Sequence, residues 1–236
     1  MNIKKRTKII LFFFLSLFAI LFLSFFIYTA NYSKATISDI NHIYSINSNI
    51  KSEANLTTVY PPKDIDKNIG LIFYPGGKVE DKSYLPLLHE ISQYGITCIL
   101  VKMPFNLAIF NSNAADDIYE KYPSIKKWYL SGHSLGGAMA SSYAKENYEK
   151  LDGLILLASY PLNDADVKTI SIYGSLDTIL DSSKLTNVQN KIKIIGANHA
   201  NFGNYGNQKG DSIATIPREE QQKITVDTII DFIFKK

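Results

Sequence analysis

Apolar and polar positions divide the chain into three stretches with different periods. From Ile9 to Tyr28 the sequence reads IILFFFLSLFAILFLSFFIY, which carries no charge and has only Ser16, Ser24 and Tyr28 as polar groups. A helix of that length covers about 30 Å of hydrocarbon, so residues 1–30 predict a single membrane-spanning helix. Residues 31–55 are mostly polar, with Ile and Tyr scattered among Ser and Asn, and read as a linker or stalk. A short edge strand over Leu56–Tyr60 is expected next, ended by Pro61-Pro62 because proline removes a ladder donor.

Beyond that point short apolar runs alternate with segments of helical spacing. Strands are predicted at Ile69–Tyr74, Ile96–Val101, Lys127–Ser131, Leu154–Ala158, Thr169–Tyr173 and Lys191–Ile195. Helices are predicted over Ser83–Tyr94, Asn113–Tyr122, Leu135–Asn147 and within 217–234, with Gly95 and Pro123 as stop signals. This alternation predicts an α/β fold: a mostly parallel sheet with helices on both faces, built as one domain over residues 56–236. Between the runs ending at Ala158 and starting at Thr169 there is no room for a helical lid.

Charge sharpens the picture at the N-terminus. Lys4, Lys5, Arg6 and Lys8 precede the apolar run, and no acid occurs before Asp39. Basic residues on that side predict a cytoplasmic N-terminus, hence an extracytoplasmic domain on a single-pass cell-membrane anchor. The run exceeds the roughly 7–15 residues usual for a cleaved signal peptide and has no small-residue cleavage site after it, so an uncleaved signal anchor is expected. Setting those four charges aside leaves 21 basic against 22 acidic residues, which offers no basic stripe for nucleic acid. The single cysteine, Cys98, sits in an apolar run and reads as a buried small hydrophobe. Histidines are scattered without metal-ligand spacing, and no phosphate- or dinucleotide-binding glycine motif occurs, so neither metal nor cofactor is expected.

The chemistry concentrates at Gly132-His133-Ser134-Leu135-Gly136, a G-x-S-x-G motif placed after an apolar strand and before a helix. That context is what the motif needs: a sharp strand-to-helix turn that exposes the serine, with small residues where strand and helix crowd together. A hydroxyl needs a base to take its proton. His199 is the only histidine after Ser134, and it lies just past the last strand. His133 neighbours the nucleophile, and its side chain is expected to point away from the base position. Among the intervening aspartates, Asp152 precedes its strand and Asp164 and Asp166 read as loop residues. Asp177 follows directly on the strand Thr169–Tyr173 and is the expected partner of His199; Asp181 is the reserve, more in keeping with a helix cap. Backbone donors for an oxyanion are expected from Leu135 and from Gly77, with Lys78 beside it, in the loop Pro75-Gly76-Gly77-Lys78. Met103 and Phe105, with Asn106, follow a strand end, and Asn201, Phe202 and Tyr205 flank His199; these are candidates to line a substrate pocket.

Together these residues resemble the α/β-hydrolase superfamily, in particular its small, lidless, dienelactone-hydrolase-like branch. The resemblance runs from about Leu71 to Phe234 and rests on Phe73-Tyr74-Pro75-Gly76-Gly77, Met103–Ala108, Gly132–Gly137, Tyr173-Gly174-Ser175-Leu176-Asp177 and Asn198–Gly203. It implies a triad of Ser134, Asp177 and His199 with a backbone oxyanion hole. Dienelactone hydrolases themselves use a cysteine nucleophile, where this chain has Ser134. The expected activity is hydrolysis of a small-molecule carboxylic ester through an acyl-enzyme. Acyl transfer or amide cleavage by the same triad is the alternative, and a non-catalytic binding module that keeps the fold is the reading from a different class.

Overall fold

The computed structural model describes residues 3–47, 49–162, 164–186 and 188–235. They form two units, one ending at Tyr32 and one starting at Ser33. The first is a single helix, α1 (Ile3–Ala30). Its stretch Thr7–Ala30 has a mean hydropathy of 2.9 and is long and apolar enough to cross a membrane.

The second unit is built on an eight-stranded sheet. Its strands are β1 (Ile50–Glu53), β2 (Leu56–Val59), β3 (Ile69–Tyr74), β4 (Ile96–Val101), β5 (Lys127–His133), β6 (Gly153–Leu157), β7 (Thr169–Gly174) and β8 (Lys191–Ile194), in the spatial order β1-β2-β4-β3-β5-β6-β7-β8. β1 pairs with β2, and β2 with β4, in antiparallel fashion. Every pairing from β4 through β3 to β8 is parallel. The seven expected strands are therefore all present, the edge strand as β2, and β5 extends two residues beyond its predicted end.

The central strands are buried on both faces, which is why they read as continuous apolar runs rather than alternating ones. Leu71, Phe73, Cys98, Leu100, Ile155 and Leu157 point to one core. There they meet α3 (Leu85–Ser92) and α6 (Arg218–Phe234). Ile72, Tyr74, Ile99, Val101, Leu154 and Leu156 point to the other core, covered by α5 (Leu135–Asn147) and the single turn α4 (Asp116–Tyr119). Ala140 and Ala144 bring α5 close to the sheet. The connection from β6 to β7 carries no helix among its described residues, in line with a lidless architecture.

Two expectations need correction. Residues 31–55 are not a free stalk, because from Ser33 onward they belong to the second unit. Ser33 bridges to Val79, its N–H donating to the Lys78 carbonyl at 2.8 Å, and Ala35 N–H donates to Glu80 Oε2 at 2.9 Å. α2 (Ile37–Ile46) follows and buries Ile40 and Ile43 in the first core. Ile37 and Ile46 stay exposed, so the buried stripe is only two residues wide and the Ser, Asp and Asn residues around it hid the helix. The helix expected over Asn113–Tyr122 shrinks to α4. Asp116, Ile118 and Lys121 N–H groups bond three residues back, to Asn113, Ala115 and Ile118, so the segment is a string of tight turns.

Candidate active site

The chain leaves β3 for β4 on one side and returns to β5 on the other. β3 and β5 are neighbours, so a crevice opens at their carboxyl ends, the place where open α/β sheets bind ligands. The loop after β3 carries Gly76 and Gly77, and the turn after β5 carries Ser134.

Ser134 has φ +51° and ψ −120°, a region that costs a non-glycine residue about 1–3 kcal/mol. Its own backbone N–H and carbonyl hold it there. Its N–H donates to Leu157 O on β6 at 2.9 Å, and its carbonyl accepts the first helical bond of α5 from Ala138 N–H at 3.0 Å. The turn is possible because β5 and α5 nearly touch. A Cβ on Gly132 would lie 2.4 Å from the Gly136 carbonyl carbon, and one on Gly136 would lie 2.2 Å from the Tyr74 carbonyl oxygen.

Asp177 and His199 arrive from the far side. Asp177 follows β7, and its Oδ1 accepts the N–H groups of Ile179 at 3.0 Å and Leu180 at 2.8 Å. Its Oδ2 lies 2.9 Å from His199 Nδ1, with 1% and 2% of the two side chains exposed. Three bonds thus fix the carboxylate. A carboxylate accepts, so the ring proton of neutral His199 sits on Nδ1 and Nε2 keeps its lone pair. Nε2 is buried and has no hydrogen-bond partner among the described residues.

The loop that carries His199 is clamped by residues that no sequence pattern announced. Gln221 of α6, fully buried, accepts the Asn198 N–H at 3.1 Å and donates to the Asn198 carbonyl at 2.9 Å. Asn198 Oδ1 accepts Asn201 N–H at 3.0 Å, and Asp211 Oδ2 accepts Ala200 N–H at 2.9 Å. Gln221 lies in a run of charged and amide residues that reads as a solvated helix face. Only its place against the loop reveals its role.

The candidate oxyanion donors are adjacent. A Cβ on Gly77 would lie 2.8 Å from Leu135 Cδ2, so Gly77 rests directly on Leu135. The amides on either side of Gly77 are already committed: Gly76 N–H donates to Tyr84 Oη at 3.1 Å, and Lys78 N–H to Asn106 O at 2.7 Å. Lys78 is therefore the weaker candidate. Leu135 opens α5, and the first N–H groups of a helix have no acceptor within it.

His133 does not point away from the base. Its ring centroid lies 4.7 Å from that of His199, and its Nε2 is 3.1 Å from the His199 carbonyl oxygen. Full burial and the neighbouring imidazole hold its pKa well below the usual histidine value, so it is neutral. The other expected acid, Asp181, caps the short turn Ser182–Leu185 by accepting the Ser183 N–H at 3.1 Å. Asp152 accepts Trp128 N–H at the opposite end of the sheet.

The expected pocket residues divide. Met103 is buried in the core that α5 covers, and Phe202 is fully buried with its ring 5.7 Å from that of His133. Both are core side chains, because the short helix Ala200–Phe202 turns Phe202 inward beneath the base. Tyr205 is likewise buried. Phe105 stays half exposed, at φ +55° and edge-on to Phe110 at 5.6 Å, and Asn106 and Asn201 are partly exposed. Among the described residues no group of three or more His, Cys, Asp or Glu side chains is arranged to hold a metal ion.

Comparison with known proteins agrees with this architecture. The chain belongs to the alpha/beta hydrolase family, whose model matches residues 70–223. Solved structures share the fold at low identity. An a/b serine hydrolase without lid, XC6422 from Xanthomonas campestris, is 11% identical, with a TM-score of 0.57 over 79% of this chain and 94% of its own. The monoacylglycerol lipase of Paleococcus ferrophilus is 14% identical, with a TM-score of 0.57 over 77% and 100%. Est1E from Butyrivibrio proteoclasticus is 15% identical, with a TM-score of 0.53 over 79% and 98%. No curated protein sequence matches the chain significantly.

Proposed function

We propose that this protein is a serine hydrolase that cleaves carboxylic esters through an acyl-enzyme on Ser134. The observation that carries the reading is the buried Asp177–His199 pair, whose free Nε2 belongs to a histidine following β8 while the strained Ser134 follows β5. His199 Nε2 takes the proton of Ser134 Oγ as Oγ attacks the ester carbonyl. Asp177 holds the tautomer and stabilises the imidazolium that forms. The N–H groups of Gly77 and Leu135 receive the oxyanion. Collapse expels the alcohol, which takes the proton from His199, and water repeats the sequence on the acyl-enzyme to release the acid.

The substrate is a small molecule with an apolar acyl part. Phe105, Ile109 and Phe110 after β4, Leu162 after β6 and Ile179 after β7 stand exposed on loops at the carboxyl end of the sheet. Among the fold relatives, one is by name a monoacylglycerol lipase and another a serine hydrolase without lid. The helix Thr7–Ala30 serves as a signal anchor, with the catalytic domain outside the cytoplasm and Ser134 open to extracytoplasmic esters. Residues 33–236 form the catalytic domain.

Hydrolysis of p-nitrophenyl acetate, butyrate and octanoate by the full-length chain in detergent, beside Ser134→Ala, tests the proposal. A burst of nitrophenol followed by steady turnover, absent from the variant, is expected, with butyrate or octanoate preferred over acetate. Turnover of these esters that survives Ser134→Ala contradicts it.

A further inference from the structure

Beneath the proposed triad runs a line of polar contacts that the reaction itself does not use. Tyr84, fully buried at the start of α3, lies 3.1 Å from Gly76 N and 2.8 Å from His133 Nδ1. His133 Nε2 in turn lies 3.1 Å from the His199 carbonyl oxygen. The line therefore begins at the residue before the candidate oxyanion donor Gly77 and ends on the backbone of the base.

Its direction is fixed by elementary donor and acceptor chemistry. A carbonyl oxygen only accepts, so His133 Nε2 carries a proton. A second proton on Nδ1 would leave a cation in a fully buried site beside another imidazole, which burial disfavours strongly. Nδ1 is therefore a bare lone pair, and the Tyr84 O–H donates to it. The Tyr84 oxygen then accepts the Gly76 N–H. Each buried group is satisfied in this one arrangement. Reversing the His133 tautomer would leave Nε2 and the His199 carbonyl facing each other as two acceptors. The packing is built around the line. A Cβ on Gly76 would fall 2.7 Å from His133 Nδ1 and 2.8 Å from Tyr84 Oη, so only glycine admits both partners. Phe73, at 4.9 Å, and Tyr205, at 6.4 Å between ring centroids, wedge the Tyr84 ring in place.

We propose that Tyr84 and His133 are positioning residues. They form a one-way hydrogen-bond relay, Gly76 N–H to Tyr84 O–H to His133 Nε2–H to His199 C=O, that sets the oxyanion loop and the base loop in register with each other. The two loops come from opposite halves of the chain, and a displacement of either by about 1 Å is enough to cost about 100-fold in rate. The inference rests on the triad reading. It extends that reading by assigning to the residue before the nucleophile a task in geometry rather than in proton transfer to substrate.

The relay predicts one observable in the unmodified protein. In the full-length chain in detergent, labelled with 15N-histidine, the His133 ring at pH 7 is neutral with its proton on Nε2. A proton on Nδ1, or on both nitrogens, overturns the relay. Kinetics supply the second test. Tyr84→Phe and His133→Asn are expected to lower kcat about 10–100-fold with KM within about twofold, since substrate contacts are untouched while the transition-state geometry is lost. His133→Gln, which can return an N–H donor to the His199 carbonyl, is expected to recover part of kcat over His133→Asn. Cooperative melting of each variant verifies its fold. If Tyr84→Phe does not fold, the ordering of the two His133 variants and the wild-type tautomer decide the matter. Unchanged kcat in folded Tyr84→Phe and His133→Asn, with wild-type Ser134 labelled by a fluorophosphonate, overturns the relay alone. An unlabelled wild-type Ser134 overturns the triad and the relay together.

Discussion

His199 Nδ1 lies 2.9 Å from Asp177 Oδ2, and solvent reaches almost none of either side chain. Because Oδ1 of the same carboxylate is held by the Ile179 and Leu180 amides, Asp177 cannot turn away from the ring. In the proposed reaction its carboxylate is thereby fixed beside the ring that takes the Ser134 proton. Asp177→Asn keeps the shape but puts an amide where an acceptor is required. Its NH2 group facing Nδ1 would favour the wrong His199 tautomer, so kcat is expected to fall by about 10⁴-fold with little change in KM. A steady-state comparison of wild type and variant checks this.

Gly77 touches Leu135, and a methyl group there would meet Leu135 Cδ2 at 2.8 Å. Gly77→Ala therefore keeps the N–H but shifts it away from the proposed oxyanion position. A loss of about 10²–10³-fold in kcat is expected, comparable to deleting a donor. Enlarging the space with Leu135→Ala in the same chain should restore part of it, which a double-variant rate measurement reads directly.

Gln221 makes two buried bonds to the backbone of Asn198, the residue before the proposed base His199. Gln221→Leu is close in volume but leaves a buried N–H and a buried carbonyl unpaired. Denaturant unfolding is expected to show a loss of about 2–5 kcal/mol. A drop in kcat should accompany it as the His199 loop loosens.

Two buried histidines make folding depend on pH. Burial lowers the pKa of His133 well below 6.5, and also lowers that of His89, which pairs with Asn47 Nδ2 at 2.9 Å. In the unfolded chain both take up a proton near pH 6.5, whereas in the folded chain they do not. The unfolded state then binds more protons, so stability falls as pH drops through about 6.5 toward the folded values. The melting temperature should decline from pH 7.5 to pH 5. His89→Gln should flatten part of that decline, and a decline as steep in the variant as in wild type would show that His89 does not contribute.

The central parallel strands, the strand-to-helix turn at Ser134 and the positions of Asp177 and His199 after their strands are legible in the sequence because each depends on local pattern. An apolar run marks a strand buried on both faces, and the residue after it lies at the carboxyl edge. What sequence does not show is contact between segments far apart in the chain. Gln221 is 23 residues beyond Asn198 and Tyr84 is 49 before His133, and nothing in either neighbourhood marks the partner. The same limit hid α2, where only Ile40 and Ile43 of four isoleucines are buried, by contacts with segments far along the chain. It also placed Phe202 in a pocket, although three-residue turns aim side chains in ways that adjacency to a histidine does not reveal.

Whether Ser134 is the nucleophile is read by mass spectrometry of the full-length protein after exposure to a fluorophosphonate, with the adduct mapped to its residue. One adduct per chain is expected, on Ser134, formed rapidly in wild type and slowed severely by His199→Ala. A folded wild-type protein that takes up no adduct, or takes it up elsewhere while Ser134 stays unmodified, would contradict it.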